Sequence, residues 1–531
     1  MTNQNVAAND ATERPPTEGA EPNYGPETNK WRRAIPQIIA STVKNLLLMD
    51  LGMTIAFPTI VIPVLLDGKD SKNLVFSEVN ASWFGSIVYA CQPLGSVLSG
   101  LVLEPLGRKY AMMAVNVPHI LGWYLLYSAS THVALYIAAV IMGLGVGFME
   151  APIITYIGEI CEPHLRGTLT SYSNLFVTFG MTTVYVFGTL VDWRTAALIF
   201  MNLPILTILA LTQIPETPLW LMARGREADA KKSLQWLRGW VSPQAVEKEV
   251  NELKRYSDAS YKKRLKGYDN PAVVLDENTP NGRDSNRNEK VKGSEQEIVE
   301  KEPSKMELLT QACNDFFRPA VLKPFAFIIV FFFISNWTGV SSTRPYLIKL
   351  IEEFQFPIEP YRAAVIFGSI SFAASVSCMA TIAIFRKRPI ALVSVALCSA
   401  SAVCLALVPP QALGGWLGFI CFVVLYFFSI YGASGLVWTV MSEVFPYRGR
   451  SQASGVAAAG SYLIVFSATK SFLSLKHALG LHYLFLLYGC ISAVGFVLIW
   501  LMMPETEGKT LEEIEREYKI KSKKPAKEGD A

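Results

Sequence analysis

Apolar residues in this chain come in long blocks, and most charged residues fall between them. Stretches such as 196–214, 481–503 and 325–334 with its flanks approach the roughly 20 mostly apolar residues an α-helix needs to cross a bilayer core. Twelve spans are predicted, near 35–62, 82–103, 110–130, 134–157, 170–191, 195–214, 321–351, 361–385, 389–409, 413–441, 452–475 and 482–503. A long polar stretch, 215–320, divides them six and six. The expected fold class is therefore an all-α membrane protein of twelve transmembrane helices in two six-helix halves, 35–214 and 321–503.

Charge in the loops gives the expected orientation. Arg108 and Lys109 follow span 2, Arg166 follows span 4, Arg386, Lys387 and Arg388 follow span 8, and Arg448 and Arg450 follow span 10. The alternate loops are poorer in Lys and Arg, so the positive-inside rule places both termini and the central loop in the cytosol. Residues 1–34 lack the apolar core of a cleavable signal and read as a disordered cytosolic tail, and 504–531 as a second tail. Within the central loop, 216–255 is predicted as short helices, with Ala230, Leu234 and Leu237 on one face. The charged, Asn/Asp/Gly-rich run 256–303 is expected to be a disordered linker.

Composition supports this class and removes others. The chain is 51% hydrophobic and 17% charged, against about 25% charged in a typical soluble domain. Its net charge of +4 carries no aromatic-interleaved basic patch, so nucleic acid is not an expected partner. The 8 cysteines form no CxxC pair and the 5 histidines show no metal spacing, so neither a disulfide framework nor a metal site is expected. Gly508-Lys509-Thr510 lacks the earlier glycine of a phosphate-binding loop, and there is no GxSxG elbow. A cofactor-free, monomeric, non-enzymatic protein in contact with lipid and a small-molecule substrate is expected. Asn80-Ala81-Ser82 is a glycosylation sequon in the first external loop.

Charge within a span is costly and usually functional. Asp50 in span 1, Glu150 in span 4, Arg344 in span 7 and Lys470 in span 11 are such charges. Arg344 stands between Gly339 and Pro345, which can break its helix, and is expected to face an anionic substrate or to pair with Asp50 or Glu150. Lys470, near a span end, is expected to snorkel. A further pattern repeats between the halves. Glu159 ends span 4 with Arg166 seven residues on, and Glu443 ends span 10 with Arg450 seven residues on. Carboxylate and arginine at successive helix ends can form a gate salt bridge, and its repetition suits a pseudo-symmetric transporter.

Several motifs make the resemblance specific. Pro215-Glu-Thr-Pro-Leu-Trp-Leu221 resembles PESPxxL, Gly107-Arg108-Lys109 resembles a GRK loop ending, and Pro504-Glu-Thr-Glu-Gly-Lys-Thr-Leu-Glu-Glu-Ile514 resembles PETKGxTLEEI. With Gly143, Gly145 and Gly147 in span 4, the chain resembles the sugar-porter family of the major facilitator superfamily over about 45–515. Arg344-Pro345-Tyr346 and Thr469-Lys470 resemble its insect facilitated trehalose transporter-like members. The resemblance implies alternating access around a central sugar site, a plasma-membrane location, and a cytosolic gate of Arg108, Lys109, Glu159, Arg166, Glu216, Glu443 and Arg450.

The resemblance weakens at the sugar site. The family's QQxSGxN reads Ser335-Asn336-Trp337-Thr338-Gly339-Val340-Ser341 here. Other implied substrate positions fall on Asn174, Ser371, Ser461, Tyr462 and Trp438. An amide reaches further and offers more hydrogen bonds than a hydroxyl. The expected site is thus a roomier one, for a hexose, a disaccharide such as trehalose, or another small polar solute. The family's span-4 arginine for proton coupling falls on Ala139, which favours facilitated diffusion. Proton coupling, an organic-anion carrier and a non-transporting nutrient sensor are the alternatives.

Overall fold

The computed structural model describes residues 30–255, 317, 319–382, 385–408, 415–445 and 450–504. The expected insert 256–303, most of the N-terminal tail and nearly all of the C-terminal tail lie outside the described residues.

The first half consists of α1 (Lys30–Leu66), α2 (Glu78–Leu106), α3 (Arg108–Ser128), α4 (His132–Ile160), α5 (Pro163–Leu190) and a sixth span formed by α6 (Trp193–Phe200) and α7 (Asn202–Thr212). Two short helices follow, α8 (Pro218–Ala223) and α9 (Glu227–Leu237). In the second half, span 7 is α10 (Pro319–Asn336), α11 (Val340–Thr343), a 3₁₀ turn Arg344–Tyr346 and α12 (Leu347–Glu353). Then come α13 (Pro360–Ile382), α14 (Lys387–Leu407), α15 (Trp416–Phe428), a π-turn Ser429–Ser434, α16 (Gly435–Val444), α17 (Arg450–Leu479) and α18 (Leu481–Met502). Helices α15 and α16 with the π-turn make span 10, so two sets of six spans are complete.

By length and composition, 8 described helices can cross a membrane, and the bent pair in span 7 makes 9. The other three spans are α2, α3 and α5, with 29, 21 and 28 residues. At about 1.5 Å per residue these are long enough. Their polar residues Gln92, Asn116, His119 and Thr178 are buried against neighbouring helices instead of facing lipid.

Lipid is as apolar as leucine, so helices here associate by close packing. A Cβ on Gly143 would collide with the carbonyl of Val88, and one on Gly147 with that of Gln92. These glycines let α4 lie directly on the α2 backbone. Helices α1 and α5 meet in the same way, Gly52 against the Val177 carbonyl and Gly180 against that of Met49. We call the end of the bundle where Lys30 and Pro504 lie the near end, and the opposite end the far end.

At the far end one side chain clips three loops. Arg194 donates to Asp70 at 3.2 and 3.0 Å and to the carbonyls of Tyr127 (3.2 Å) and Ala129 (2.5 Å). Burial pushes the Asp70 carboxyl up, but Arg194 and backbone N–H groups outweigh it and hold it below its ordinary value. At the near end, the predicted face of α9 is buried: Ala230, Leu234 and Leu237 are all at most 1% exposed. Ala230 and Leu234 pack with Trp220, Leu221 and Met222 of α8, which explains how such short helices persist.

Close α2–α4 contact predicts an asymmetry between two glycines of one helix. Gly147→Ala should destabilise the protein by about 1–3 kcal/mol through overpacking. Gly158→Ala, where a Cβ meets nothing within 4 Å, should be near neutral. Thermal melts of the two purified variants in one detergent read the difference.

Candidate functional site

The near-end motifs converge on the start of α3. Gly107 takes φ 85°, which ends α2 and turns the chain directly into α3. The first N–H groups of α3 then lack intrahelical partners and carry the positive end of the helix dipole. Glu216, from the PETP turn, fills that need: its carboxylate accepts from the N–H groups of Arg108 (3.2 Å), Lys109 (3.0 Å) and Thr217 (2.8 Å). Burial raises the Glu216 carboxyl above its ordinary value, against the pull of these N–H groups and Arg108. Lys109 reaches back to the Thr212 carbonyl at 3.0 Å. Two motifs that the sequence shows apart are thus two sides of one cap.

Glu159 has a partner that its spacing does not suggest. Arg108 donates to it at 3.0 and 2.7 Å, joining α3 to α4. In the second half Glu443 accepts from Lys387 at 2.7 Å, joining α14 to α16. The repeated device therefore pairs each carboxylate with the cation that opens span 3 or span 9. The spacing to Arg166 and Arg450 had hidden this, since partners on a helix distant in sequence leave no local signature. The side chains of Arg166 and Arg450 lie outside the described ones.

The centre of the bundle is built around a break. Gly339 takes φ 103°, its Cα against the Tyr488 ring, and the two parts of span 7 meet at 47°. Hydroxyls and one amide stitch the break together. Asn336 donates to the Phe332 carbonyl at 3.0 Å and accepts from Ser341 at 3.1 Å. Thr343 donates to the Gly339 carbonyl at 2.7 Å, and Ser342 to the Tyr488 hydroxyl at 3.0 Å. Opposite lies the π-turn of span 10. Ser335 shares its proton between the carbonyls of Phe331 (2.8 Å) and Ala433 (2.5 Å), and Thr338 meets Ser429 at 3.2 Å.

From this break a run of contacts extends into the first half. The Phe332 ring is edge-on to Trp438 at 5.0 Å, Trp438 lies 6.2 Å from Tyr462, and Tyr462 donates to Glu150 at 2.9 Å. Asn174 donates to Ser375 at 3.2 Å across the halves. Asn174, Asn336, Tyr462 and Glu150 all keep partial exposure mid-bundle, and Trp438 is 37% exposed. Ser341 is buried at the edge of this group. The expected site is thereby divided. Ser335, Ser371 and Ser461 are buried and spend their protons on backbone carbonyls, Ser371 on Phe367 and Ser461 on Ala458. They fit helix packing better than contact with a solute.

Other charges differ from expectation. Neither Asp50 nor Glu150 pairs with Arg344. Asp50 is taken within the first half by Trp123 Nε1 (2.8 Å) and His119 Nδ1, and Glu150 by Tyr462. His119, read only for metal spacing, and Lys44, not singled out, are polar residues that sequence reasoning missed. Lys44 is 1% exposed and donates to Ser173 at 2.9 Å. A lysine in the middle of an apolar run was the available signal. The Lys470 ammonium sits 3.9 Å over the Trp83 ring, and the Lys470 carbonyl accepts from Ser82 at 3.0 Å. Asn80 lies in the first turn of α2, partly exposed.

At the far end the halves are joined. Thr59 donates to the Arg344 carbonyl at 2.8 Å, Lys349 bonds Asp67 at 2.5 Å, and His477 meets Glu78. A Cβ on Gly85 would stand 3.0 Å from Pro345. A cleft of about 400 Å³ opens beside these contacts, lined by Glu78, Tyr346, Lys349, Glu353 and Lys476.

A family model described as sugar (and other) transporter matches residues 34–277 and 272–518 of the chain. The facilitated trehalose transporter Tret1 of Aedes aegypti is 28% identical over 94% of this chain and 57% of its own length. Tret1 of Anopheles gambiae is 29% identical over 93% of this chain and 57% of its own length. The chain thus spans just over half of these relatives. Among solved structures, the proton:xylose symporter XylE with 6-bromo-6-deoxy-D-glucose superposes with a TM-score of 0.68 at 18% identity, covering 92% of this chain and 100% of that one. An inward-open conformation of XylE from E. coli gives a TM-score of 0.66 at 17% identity, over 91% and 99%. These likenesses place the twelve spans in the major facilitator fold, that of a multi-pass integral membrane protein.

The paired near-end carboxylates give a ranked prediction. Arg108→Ala leaves Glu159, with a side chain 12% exposed, without its counter-ion, an expected cost of about 3–5 kcal/mol. Lys387→Ala should cost clearly less, because the Glu443 side chain is 30% exposed and water screens it. Unfolding in detergent, monitored by tryptophan fluorescence, ranks the two variants.

Proposed function

Because the chain belongs to the sugar (and other) transporter family, we propose that it carries a sugar, a hexose or a disaccharide such as trehalose, across a membrane by alternating access and facilitated diffusion. The observation that carries this reading is the broken span 7 and the lining it shares with the first half. Irregular backbone is tolerated at membrane depth where it is buried in protein or lines a cavity. Here the break carries Asn336 and Ser341, bonded to each other, and Asn336 lies one turn from Phe332, whose ring leads through Trp438 and Tyr462 to Glu150. Amide and hydroxyl groups bind sugar hydroxyls, and an aromatic ring covers the apolar face of a sugar ring. Asn174 joins them from α5.

The two halves, 35–214 and 321–503, are the rocking bodies, and 215–320 is the cytosolic link between them. The near end is the cytosolic side, following the Lys and Arg of its loops, and the plasma membrane is the location. The carrier works as a monomer in lipid. The far-end contacts support reading the described state as closed to the outside. Arg108, Lys109, Glu159, Glu216 and Glu443, with Arg166 and Arg450, form the cytosolic gate.

Support for facilitated diffusion lies in Asp50. Its carboxylate is held by His119 and Trp123 and is 2% exposed, away from the solute lining. Reconstituted protein should equilibrate radiolabelled glucose or trehalose at the same level with and without an imposed pH gradient, and Asn336→Ala should slow entry about tenfold. Strong accumulation under the gradient would overturn facilitated diffusion, and an unaltered rate in Asn336→Ala would remove the break from the solute site.

A further inference from the structure

Arg344 is a charge in the bundle that the proposed sugar site leaves unexplained. It stands at the far end of the central lining, seven residues below the end of α1 as judged by its bond to Thr59. That bond uses the Arg344 carbonyl, so closure of the far end does not employ the guanidinium. The guanidinium instead faces the phenol hydroxyls of Tyr89 from α2, Tyr185 from α5 and Tyr426 from span 10. Among the described residues no carboxylate forms an ion pair with it. The two intramembrane carboxylates nearest in expectation, Asp50 and Glu150, are engaged elsewhere.

Neutral phenols do not cancel a full positive charge at membrane depth, where an uncompensated ion costs several kcal/mol. Arg344 nevertheless keeps partial exposure, so its side chain is not sealed from solvent. Tyr89 and Tyr426 are 5% and 2% exposed, and their hydroxyl oxygens make no hydrogen bond of acceptable geometry. A cation with two unemployed hydroxyl donors around it has the composition of an anion site. A guanidinium takes a carboxylate with two parallel N–H bonds, and phenols add O–H donors to the same oxygens.

We propose that Arg344, with Tyr89 and Tyr426, binds a carboxylate borne by the transported sugar, so that the preferred substrate is a sugar acid. The inference rests on the transport reading for its route and deepens it by naming the substrate class. The opposite end of the lining sets the charge. Glu150 is an acidic group bonded to Tyr462, and it disfavours a second negative charge on the solute. A monoanion such as glucuronate or gluconate fits; a phosphate dianion fits less well. The polyol part would lie along Asn336, Ser341 and Trp438.

The test combines binding and flux on the full chain. Titration calorimetry in detergent should show glucuronate and gluconate binding about tenfold or more tightly than glucose, and more tightly than glucose 6-phosphate. In liposomes, glucuronate should enter and should compete with glucose. Arg344→Gln should lose at least about tenfold in glucuronate affinity while retaining glucose binding, and Arg344→Lys should restore part of it. If Arg344→Gln melts early, the Tyr89→Phe/Tyr426→Phe variant, which removes only the hydroxyl donors, should show the same selective loss. Glucuronate binding no tighter than glucose binding, or an unchanged ratio in the variants, overturns the proposal even if glucose transport is normal. Arg344-dependent glucuronate binding without flux of any solute upholds this site and overturns the transport reading instead.

Discussion

A chain inside hydrocarbon must satisfy its own backbone polar groups, and the rest of this structure follows from how that constraint is met. Most spans meet it as continuous helices. Span 7 and span 10 depart most: one breaks at Gly339 and the other contains the π-turn Ser429–Ser434. The two departures lie side by side and satisfy each other. Ser335 donates to the Ala433 carbonyl within the π-turn, and Thr338 meets Ser429. Irregular backbone is thereby held at the centre of the second half.

The near end solves the same problem at a helix terminus. The unpaired N–H groups that begin α3 are capped by Glu216, brought from beyond span 6 by the PETP turn. Beside them Arg108 holds Glu159, and the second half repeats the pair as Lys387 and Glu443. The repeat is unequal: the first pair is nearly buried and the second is partly wet. The first half is therefore expected to be the stiffer body. Close glycine contacts of α4 on α2 point the same way.

Much of the fold was legible because length and apolarity alone define spans. Blocks of about twenty residues, the even count and the polar stretch 215–320 were enough for two sets of six. The site was less legible. Motif matching put forward Asn336 and Ser341, which bond each other at the span-7 break, and Trp438 and Tyr462, which lead to Glu150. It also put forward Ser335, Ser371 and Ser461, because a motif marks positions and not where a hydroxyl spends its proton. Pairings between distant helices, Arg108 with Glu159 and His119 with Asp50, carry no local spacing and were not found.

The central claim is that the paired irregularities of spans 7 and 10 are the element that moves and grips the solute. Hydrogen exchange with and without a transported sugar tests this most directly. Amides in 337–346 and 429–434 should exchange faster than those of α2 and α4 in the free protein, and saturating sugar should slow them while leaving α2 and α4 unchanged. Equal protection throughout the bundle, or sugar-induced slowing confined to the first half, would contradict the account.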